Sequence, residues 1–546
     1  MPTMDDFVIT DSQQVRDWDA ATLARDGISS LELMERAARA FVEHLVERYP
    51  LTEYERIDVL CGPGNNGGDG AAIARLLEAS GYTTTVWGWW ASDAARSEDL
   101  AANWQRLVDK GHGRLHVGER YDFRASPQVV IDALFGVGTN RPLEDPYREV
   151  VLTINGATKD GDYAEESSLS RPVELEVVSV DVPSGQAVDG RHADWLCVDA
   201  DETFTFEAIK LSALLPETGP AWGLIRIVHF GLEIPPIVPK GSIGLLTRDD
   251  GGRLRHHRRR FTHKGTYGHV LVLAGSRGHG GAALLCGRGA YRAGAGLVTF
   301  HAPARLEALL QVGLPEAMVS LDADSDVLTG LPDLSPFDAV VVGPGIGQDD
   351  RTRVVLAELF AAAGDRPIVV DADGLNLLAR HEELMASLPR RAILTPHPGE
   401  FRRLAGDFAG GRERLELLRA YARELPSEEA VVVLKGQYTA IANRQGDIGY
   451  NLFEGNPGMA TGGTGDVLAG VIAGCAAQLV KVAEDAFERE SIAWDAASIG
   501  VLAHGRAGDL AGGVFGEAGL LAGDVADRIG MALRDLSERP PGTRPD

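Results

Sequence analysis

Asp466 is the residue of this chain whose neighbours best suit it to take a proton. It lies in Asn456-Pro457-Gly458-Met459-Ala460-Thr461-Gly462-Gly463-Thr464-Gly465-Asp466-Val467-Leu468-Ala469-Gly470. Glycines and small residues there let successive backbone N–H groups turn toward one point. The apolar run from Val467 predicts a helix whose positive end faces the same point. Such a nest stabilises negative charge on a phosphoryl group in transit. Phosphate repels a carboxylate, so Asp466 is useful there mainly as a base for an attacking hydroxyl. The plainer alternative is a Gly-rich helix start capped by Thr464 or Asp466.

Four further segments of the C-terminal half carry polar groups at strand ends. Val342-Gly343-Pro344-Gly345-Ile346-Gly347 lets backbone approach a ligand, and Asp371-Ala372-Asp373-Gly374-Leu375-Asn376 places two carboxylates and an amide together. Thr395-Pro396-His397-Pro398-Gly399-Glu400 holds a histidine between two prolines, hence in a rigid turn. Lys435-Gly436-Gln437-Tyr438-Thr439 sets a lysine beside glycine, suited to a nucleotide's phosphates or ribose. No GxxxxGK[ST] sequence occurs, which excludes a P-loop enzyme.

The N-terminal half has its own constellation. Gly62-Pro63-Gly64-Asn65-Asn66-Gly67-Gly68-Asp69-Gly70 follows a strand and precedes a helix, without GxGxxG spacing. Its amides and Asp69 suit a site that reads polar groups or a cation, and a tight polar turn is the alternative. Asp132, before Ala133-Leu134-Phe135-Gly136-Val137-Gly138-Thr139, and Asp181, before Val182-Pro183-Ser184-Gly185, also close strands. Oxygen ligands such as Asn66, Asp132 and Ser184 suit a hard monovalent ion.

The elements that must position these residues alternate between apolar runs and helical spacing. Asp11 to Tyr49 is helical by its periodicity. Ile57–Leu60, Thr83–Trp87, Val129–Asp132 and Val177–Asp181 read as strands, with a Gly-rich turn over 62–70 and a helix over Ala71–Ala79. Val270–Leu273, Ala339–Val342, Ile368–Asp371 and Val431–Leu434 restart the rhythm, and Glu484 to Met531 has helical spacing. The alternation predicts an α/β protein with two doubly wound domains and ligands at the strands' C-terminal ends. The Pro-rich stretch 234–241 is the linker, the polar stretch Thr158–Ser170 a surface excursion, and the tail Glu538–Asp546 disordered.

At 546 residues the chain is too long for one core. A net charge of -26 argues against a general nucleic-acid binder, which needs clustered cations. The one dense basic run, Arg255–Arg260, is read as solvated interdomain surface rather than a phosphate attractor. Trp87, Trp89 and Trp90 are read as packing rather than a ring-stacking platform. The four cysteines have no metal or disulfide spacing. The N-terminus carries Asp5 and Asp6 with no apolar leader, and no run reads as a membrane span, which predicts a cytoplasmic protein without a membrane partner.

Taken in order, the segments containing GPGIG, DADGLN, TPHPGE and NPGMATGGTGDVLAG resemble the ADP/ATP-dependent NAD(P)H-hydrate dehydratases, a ribokinase-like family, over Phe261–Met531. The N-terminal segments, with Leu33-Met34-Glu35-Arg36-Ala37 and Lys210, resemble NAD(P)H-hydrate epimerases of Rossmann-like fold over about Gln13–Gly231. The resemblance implies an epimerase domain over 1–232, a linker over 233–245, a dehydratase domain over 246–535 and a tail over 536–546. It implies a dehydratase substrate site at Ala282, Gly345, His397 and Asp466, with adenine nucleotide at Lys435, Gly436, Gln437, Tyr438, Thr439 and Gly465. It implies epimerase substrate contacts at Asn65, Asn66, Gly67, Gly68, Asp69, Gly136, Val137, Gly138, Thr139, Asn140, Arg141, Pro142 and Asp181. K⁺ would sit at Asn66, Asp132 and Ser184, and Mg²⁺ would accompany ADP or ATP. Asp466 is then the base for phosphorylating the hydrate's hydroxyl, and Asp181 the acid/base group of epimerisation. NADHX and NADPHX are the implied substrates, and a homo-oligomer the implied assembly. The rival reading is a vitamin kinase of hydroxymethylpyrimidine or pyridoxal type fused to a binding or scaffold domain.

Overall fold

The computed structural model describes residues 9, 12–92, 95–123, 128–157, 175–233, 242–254, 260–427, 429–483 and 491–537. The excursion 158–170, the Pro-rich stretch 234–241, basic residues 255–259 and the tail 538–546 lie outside the described residues. The chain divides into two compact units, 1–238 with 410–412, and 239–409 with 413–546.

The first unit is built on seven strands: β1 Arg56–Cys61, β2 Thr83–Gly88, β3 Leu115–Val117, β4 Val129–Ala133, β5 Glu176–Val180, β6 Glu202–Phe206 and β7 Leu224–Val228. Their spatial order is β3-β2-β1-β4-β5-β6-β7, all parallel. Both faces of the sheet are covered. Ile57, Val59, Val129 and Ile131 join a core under the helices Ser30–Arg48 and Asn65–Ala79, and Leu60 and Val130 point to a second core with Trp87 and Tyr121. This explains why the strands read as continuous apolar runs instead of alternating. The chain leaves β1 toward β2 and β3, then returns to β4 on the other side of β1. That reversal opens a crevice at the C-terminal ends of β1 and β4.

Two local details differ from expectation. The helical stretch before β1 is two helices, Ser12–Asp26 and Ser30–Arg48, broken at Gly27 and restarted by a Ser29–Glu32 capping box. The helix after β1 begins at Asn65, so Asn65 to Asp69 form its first turns and not a loop. The propensity of Asn and Gly for turns is overridden because Gly67, Gly68 and Gly70 are buried at tight contacts in the helix.

The second unit carries ten strands: β8 Ile243–Leu245, β9 His269–Leu273, β10 Leu297–Ala302, β11 Met318–Leu321, β12 Ala339–Val342, β13 Ile368–Val370, β14 Ala392–Leu394, β15 Val431–Leu434, β16 Ala440–Asn443 and β17 Ile448–Tyr450. The order is β11-β10-β9-β12-β13-β14-β15-β16-β17-β8. β11 through β15 are parallel, and β16 is antiparallel to both its neighbours. β8 pairs with β17, so residues 243–245, at the end of the stretch read as linker, belong to this sheet. The chain again reverses about one strand, here between β9 and β12.

The helix Thr464–Val482 is long and apolar enough to cross a membrane, with hydropathy 1.5. This corrects the expectation that no run qualifies. It is instead a core helix of this unit, packed on Gly280–Arg292 and Ile492–Phe515. Small residues explain both its hydropathy and its place, since Gly470 and Gly474 admit the backbone of Cys286 and Ala290.

Candidate active sites

In the first unit the crevice is a cavity of about 570 Å³. Asn65, Asn66 and Asp69 reach it from the helix start, Gly136 to Thr139 from the loop after β4, and Asp181 from the end of β5. A β-carbon on Gly62 would lie 1.8 Å from the Leu134 carbonyl oxygen, so glycine alone lets the two loops close on each other. Gly67 and Gly68 are buried in the helix and do not line the cavity, and neither do Asn140, Arg141 and Pro142. Trp18, Leu33, Met34, Phe206 and Phe230 form apolar walls, with the two phenylalanine rings edge to face at 5.4 Å.

Asp181 is held hard. Its backbone adopts φ 66, a left-handed conformation uncommon outside glycine. Its Oδ1 accepts from the Lys210 ammonium, from the Phe206 N–H at 2.9 Å and from the Thr205 hydroxyl at 3.3 Å. Lys210 is fully buried and also donates to Thr205 Oγ1 at 2.8 Å and the Phe206 carbonyl at 3.2 Å. No donor among the described residues takes Oδ2, which leaves it for the cavity. Burial and the Asp181 charge push the Asp19 carboxyl up to about 6, with Lys210 pulling it back. Burial, Asp181, Asp19 and Asp99 hold Asp69 well above the usual carboxylate range. A carboxyl paired with a buried ammonium, beside carboxyls whose proton affinity is raised, is the arrangement acid/base chemistry needs.

Asp132 and Ser184 lie fully buried beneath this cavity. Register places Asp132 beside Ser179, whose hydroxyl donates to Oδ2 at 2.8 Å. Ser184 donates its N–H at 2.9 Å and its hydroxyl at 2.5 Å, and Leu134 its N–H at 3.3 Å. Burial pushes the Asp132 carboxyl up, opposed by these hydrogen bonds. The group ties β4 to the loop after β5. The Asn66 side chain lies against Gly136, with a buried Nδ2 that has no partner among the described residues.

In the second unit the loops after β9, β12, β13, β14 and β15 meet at one sheet end. A β-carbon on Gly343 would lie 1.8 Å from the Asp371 carbonyl oxygen, which is why β12 ends in glycine. One on Gly345 would lie 3.3 Å from the Ala282 β-carbon, so the two predicted substrate positions adjoin. Asp373 accepts the Gly347 N–H at 3.0 Å and the Gln348 amide at 2.9 Å, so it braces this loop. Asp371 accepts from Lys435 at 2.7 Å and Thr395 at 2.8 Å, both on Oδ1. His397 caps the helix Pro398–Ala405 through Nδ1, which accepts from the N–H groups of Gly399 at 3.0 Å and Glu400 at 3.3 Å. That fixes its proton on the half-exposed Nε2.

The helix Thr464–Val482 starts three residues before Val467, with Gly463 as its left-handed cap at φ 95. No side chain caps it, contrary to the plainer reading of Thr464 and Asp466. Thr464 instead donates its hydroxyl to the Met459 and Thr461 carbonyls at 3.1 and 3.0 Å, closing the glycine loop. Uncapped N–H groups at a helix start are an anion site. Asp466, in that first turn, is pushed up to about 6 by burial and by Asp371, opposed by Lys435. Burial pulls the Lys435 ammonium down, but Asp371 and Glu400 raise it by more. Lys435 therefore sits among carboxylates, 3.2 Å from where a Gly465 β-carbon would be. Gly436 to Thr439 continue from it toward β16.

Sequence reasoning missed Asp19 and His504. Asp19 lies in the helix Ser12–Asp26 among charged residues of both signs and looks in the sequence like any solvated residue. His504 is buried in the helix Ile492–Phe515, with an unpartnered Nε2 and a pKa pushed down to about 4 by burial. Nothing in Ala503-His504-Gly505 signals that. Trp87 and Trp89 are buried and stacked at 6.5 Å, a packing role.

Known proteins match both units. A family described as NAD(P)H-hydrate dehydratase matches residues 270–530, and one described as YjeF-related protein N-terminus matches 30–212. The bifunctional NAD(P)H-hydrate repair enzyme Nnr of Synechocystis is 33% identical over 506 residues, covering 90% of this chain and 89% of that one. The enzyme of the same name from Coxiella burnetii is 34% identical over 518 residues, covering 92% and 95%. The crystal structure of the ADP/ATP-dependent NAD(P)H-hydrate dehydratase from Bacillus subtilis, co-crystallized with ATP/Mg²⁺, is 30% identical, with TM-score 0.44, covering 54% of this chain and 98% of that one.

Proposed function

Because this chain belongs to the family of bifunctional NAD(P)H-hydrate repair enzymes, we propose that Asp181 and Asp466 each carry one of its two reactions. The enzyme interconverts the R and S epimers of hydrated NAD(P)H and dehydrates the S epimer with ADP or ATP. We assign epimerisation to residues 1–232 and dehydration to 246–535. The fusion and the match over both units leave no role for a vitamin kinase with a scaffold domain.

The observation that carries the dehydratase assignment is Asp466, a carboxyl near pKa 6 in the first turn of an uncapped helix. Above that pH it is a base and takes the proton of the hydrate's hydroxyl. The oxygen then attacks the terminal phosphoryl group, whose charge the free N–H groups of the helix start stabilise. Hydroxide is a poor leaving group and phosphate a good one, so loss of phosphate restores the dihydronicotinamide. Ala282, Gly345 and the His397 Nε2–H would hold the substrate. Gly465 and the run Lys435, Gly436, Gln437, Tyr438 and Thr439 would hold the nucleotide, with Lys435 chiefly balancing the carboxylates.

Mg²⁺ bound to nucleotide phosphates needs only one or two protein carboxylates. Asp371 fits, since both its described donors take Oδ1 and leave Oδ2 toward Gly465. When bound, the ion would neutralise phosphoryl charge. For K⁺ the residues supply oxygen donors, the Asp132 carboxylate, the Ser184 hydroxyl and the Asn66 amide through its oxygen, although both Asp132 oxygens already accept hydrogen bonds. Its role would be to hold the loops after β1 and β4 together.

In the epimerase cavity, Asn65, Asn66, Asp69, Gly136, Val137, Gly138 and Thr139 would orient the hydrate, and Asp181 Oδ2 would exchange its proton. Gly67, Gly68, Asn140, Arg141 and Pro142 would act through backbone position. The substrates support a cytoplasmic enzyme, and a homo-oligomer is the assembly we expect, which sizing of the purified chain tests.

One assay tests the whole reading. The chain is mixed with both NADHX epimers, ADP or ATP, Mg²⁺ and K⁺, and dihydronicotinamide absorbance is followed. Full recovery is expected. Recovery of the S fraction alone, beyond slow spontaneous epimerisation, would sink the epimerase assignment. No recovery would sink the dehydratase assignment.

A further inference from the structure

We propose that Asp19 is a second catalytic acid/base group of the epimerase cavity, working with Asp181 from a different wall. The proposal rests on the epimerase reading above. Asp19 comes from the helix Ser12–Asp26 and Asp181 from the end of β5, and both line the same cavity. Trp18, Leu33, Phe206 and Phe230 give that cavity flat apolar walls suited to a ring. Asp181 is immobilised through Oδ1 and presents Oδ2. Asp19 has no hydrogen-bond or ion-pair partner among the described residues.

The charges facing this space are Asp19, Asp69, Asp99, Asp181 and Arg16, with Lys210 behind Asp181. Arg16 is drawn to Gln13 at 2.9 Å, and Lys210 is committed to Asp181. Crowded carboxyls with so little compensation cannot all ionise, and burial with the neighbouring charges raises both Asp69 and Asp19. Asp19 is the carboxyl raised to about 6, where it can both give and take a proton near neutrality.

The reaction calls for such a pair. Hydrating an enamine puts the hydroxyl on the carbon beside the ring nitrogen, and the epimers differ at that carbon. One carboxyl protonates the hydroxyl oxygen, the carbon–oxygen bond breaks, and the bonding pair leaves with water. The ring nitrogen's lone pair forms the C=N bond of a cationic iminium, which the acidic cavity stabilises. Water then adds to the other face, the C=N π pair returns to nitrogen, and the proton lost by that water passes to the second carboxylate. One water leaves, one enters, and one proton moves between the two carboxyls.

The test uses the full-length chain with each purified NADHX epimer in heavy-oxygen water. In the wild type, inversion should proceed with label entering both epimers. Asp19→Asn should slow interconversion at least about 100-fold, while one epimer still exchanges its oxygen with retention. Asp181→Asn should leave the opposite epimer exchanging, and Asp19→Glu should restore part of the Asp19→Asn loss. One-sided exchange would also report that the altered cavity is folded. Interconversion by Asp19→Asn within about threefold of wild type, or equal loss of exchange in both epimers, would overturn the role. So would wild-type inversion without label. A wild-type chain that interconverts neither epimer would remove the epimerase reading, and the proposal with it.

Discussion

The two aspartates at the centre of this protein are tuned in opposite ways. Asp181 is paired with a buried lysine and pinned by a backbone N–H in a left-handed conformation. Asp466 has no direct cationic partner among the described residues, and burial with the Asp371 charge lifts it to about 6. The first arrangement fixes the carboxyl in position, and the proton affinity that rises is that of its neighbours Asp19 and Asp69. The second makes the aspartate itself the titrating group. Each unit is built on a largely parallel sheet that reverses strand order, and in each a strand-end glycine, Gly62 or Gly343, stands where an added β-carbon would lie 1.8 Å from a carbonyl oxygen. A common scaffold therefore does not fix the proton chemistry; the ions packed against each carboxyl do.

The sharpest way to break the comparison is to neutralise each aspartate alone. Asp466→Asn should lower dehydration by about 10³-fold or more and spare epimerisation, and Asp181→Asn should do the reverse. Both rates are measured on each protein, and loss of both activities in either variant would contradict separate sites.

A smaller effect should follow from Lys435→Met. Lys435 opposes the rise of Asp466, so its removal should move the acid limb of dehydration upward by about one unit, costing about twofold at pH 7 and approaching tenfold below pH 6. In the wild type that limb should lie near pH 6, with activity rising as pH increases because the base must be ionised. Epimerisation should keep its profile. A pH–rate curve for dehydration that Lys435→Met leaves in place would remove Lys435 from this role.

The smallest effect is on stability. Asp466 binds its proton more tightly folded than unfolded, so stability contributed by the neutral form is lost as pH rises from about 4 through about 6. Asp466→Asn should therefore stabilise the second unit by about 2 kcal/mol at neutral pH, a few degrees in Tm, and by almost nothing near pH 4. Thermal scans at both pH values check it. Asp181→Asn should instead destabilise, because it leaves Lys210 buried without its charge partner.

Much of this was legible in the chain itself. The apolar runs of β4, β12 and β15 announced buried parallel strands, and the glycine segments announced where backbone would meet ligand. Burial patterns and turn preferences are local, and a sequence writes them directly. Helix starts were less legible. Asn65 and Thr464 are poor interior residues, and tertiary contacts at Gly67, Gly463 and Gly470 bring both into helices.

What only the tertiary structure decided is which residues share a site and what charge they carry there. Asp19 looked like surface until the helix Ser12–Asp26 set it in the cavity with Asp181. Lys435 read from the sequence as a nucleotide contact, and only the fold shows that the ends of β13 and β14 set Asp371 and Thr395 in the same hydrogen-bonded group. Asp373 sat two residues from Asp371 with the same side chain, yet it braces a loop. Composition and spacing determined that this chain would carry strand-end carboxyls in glycine-rich surroundings. Their hydrogen-bond and ion-pair partners lie 24 to 64 residues away, and only folding brings those close enough to act.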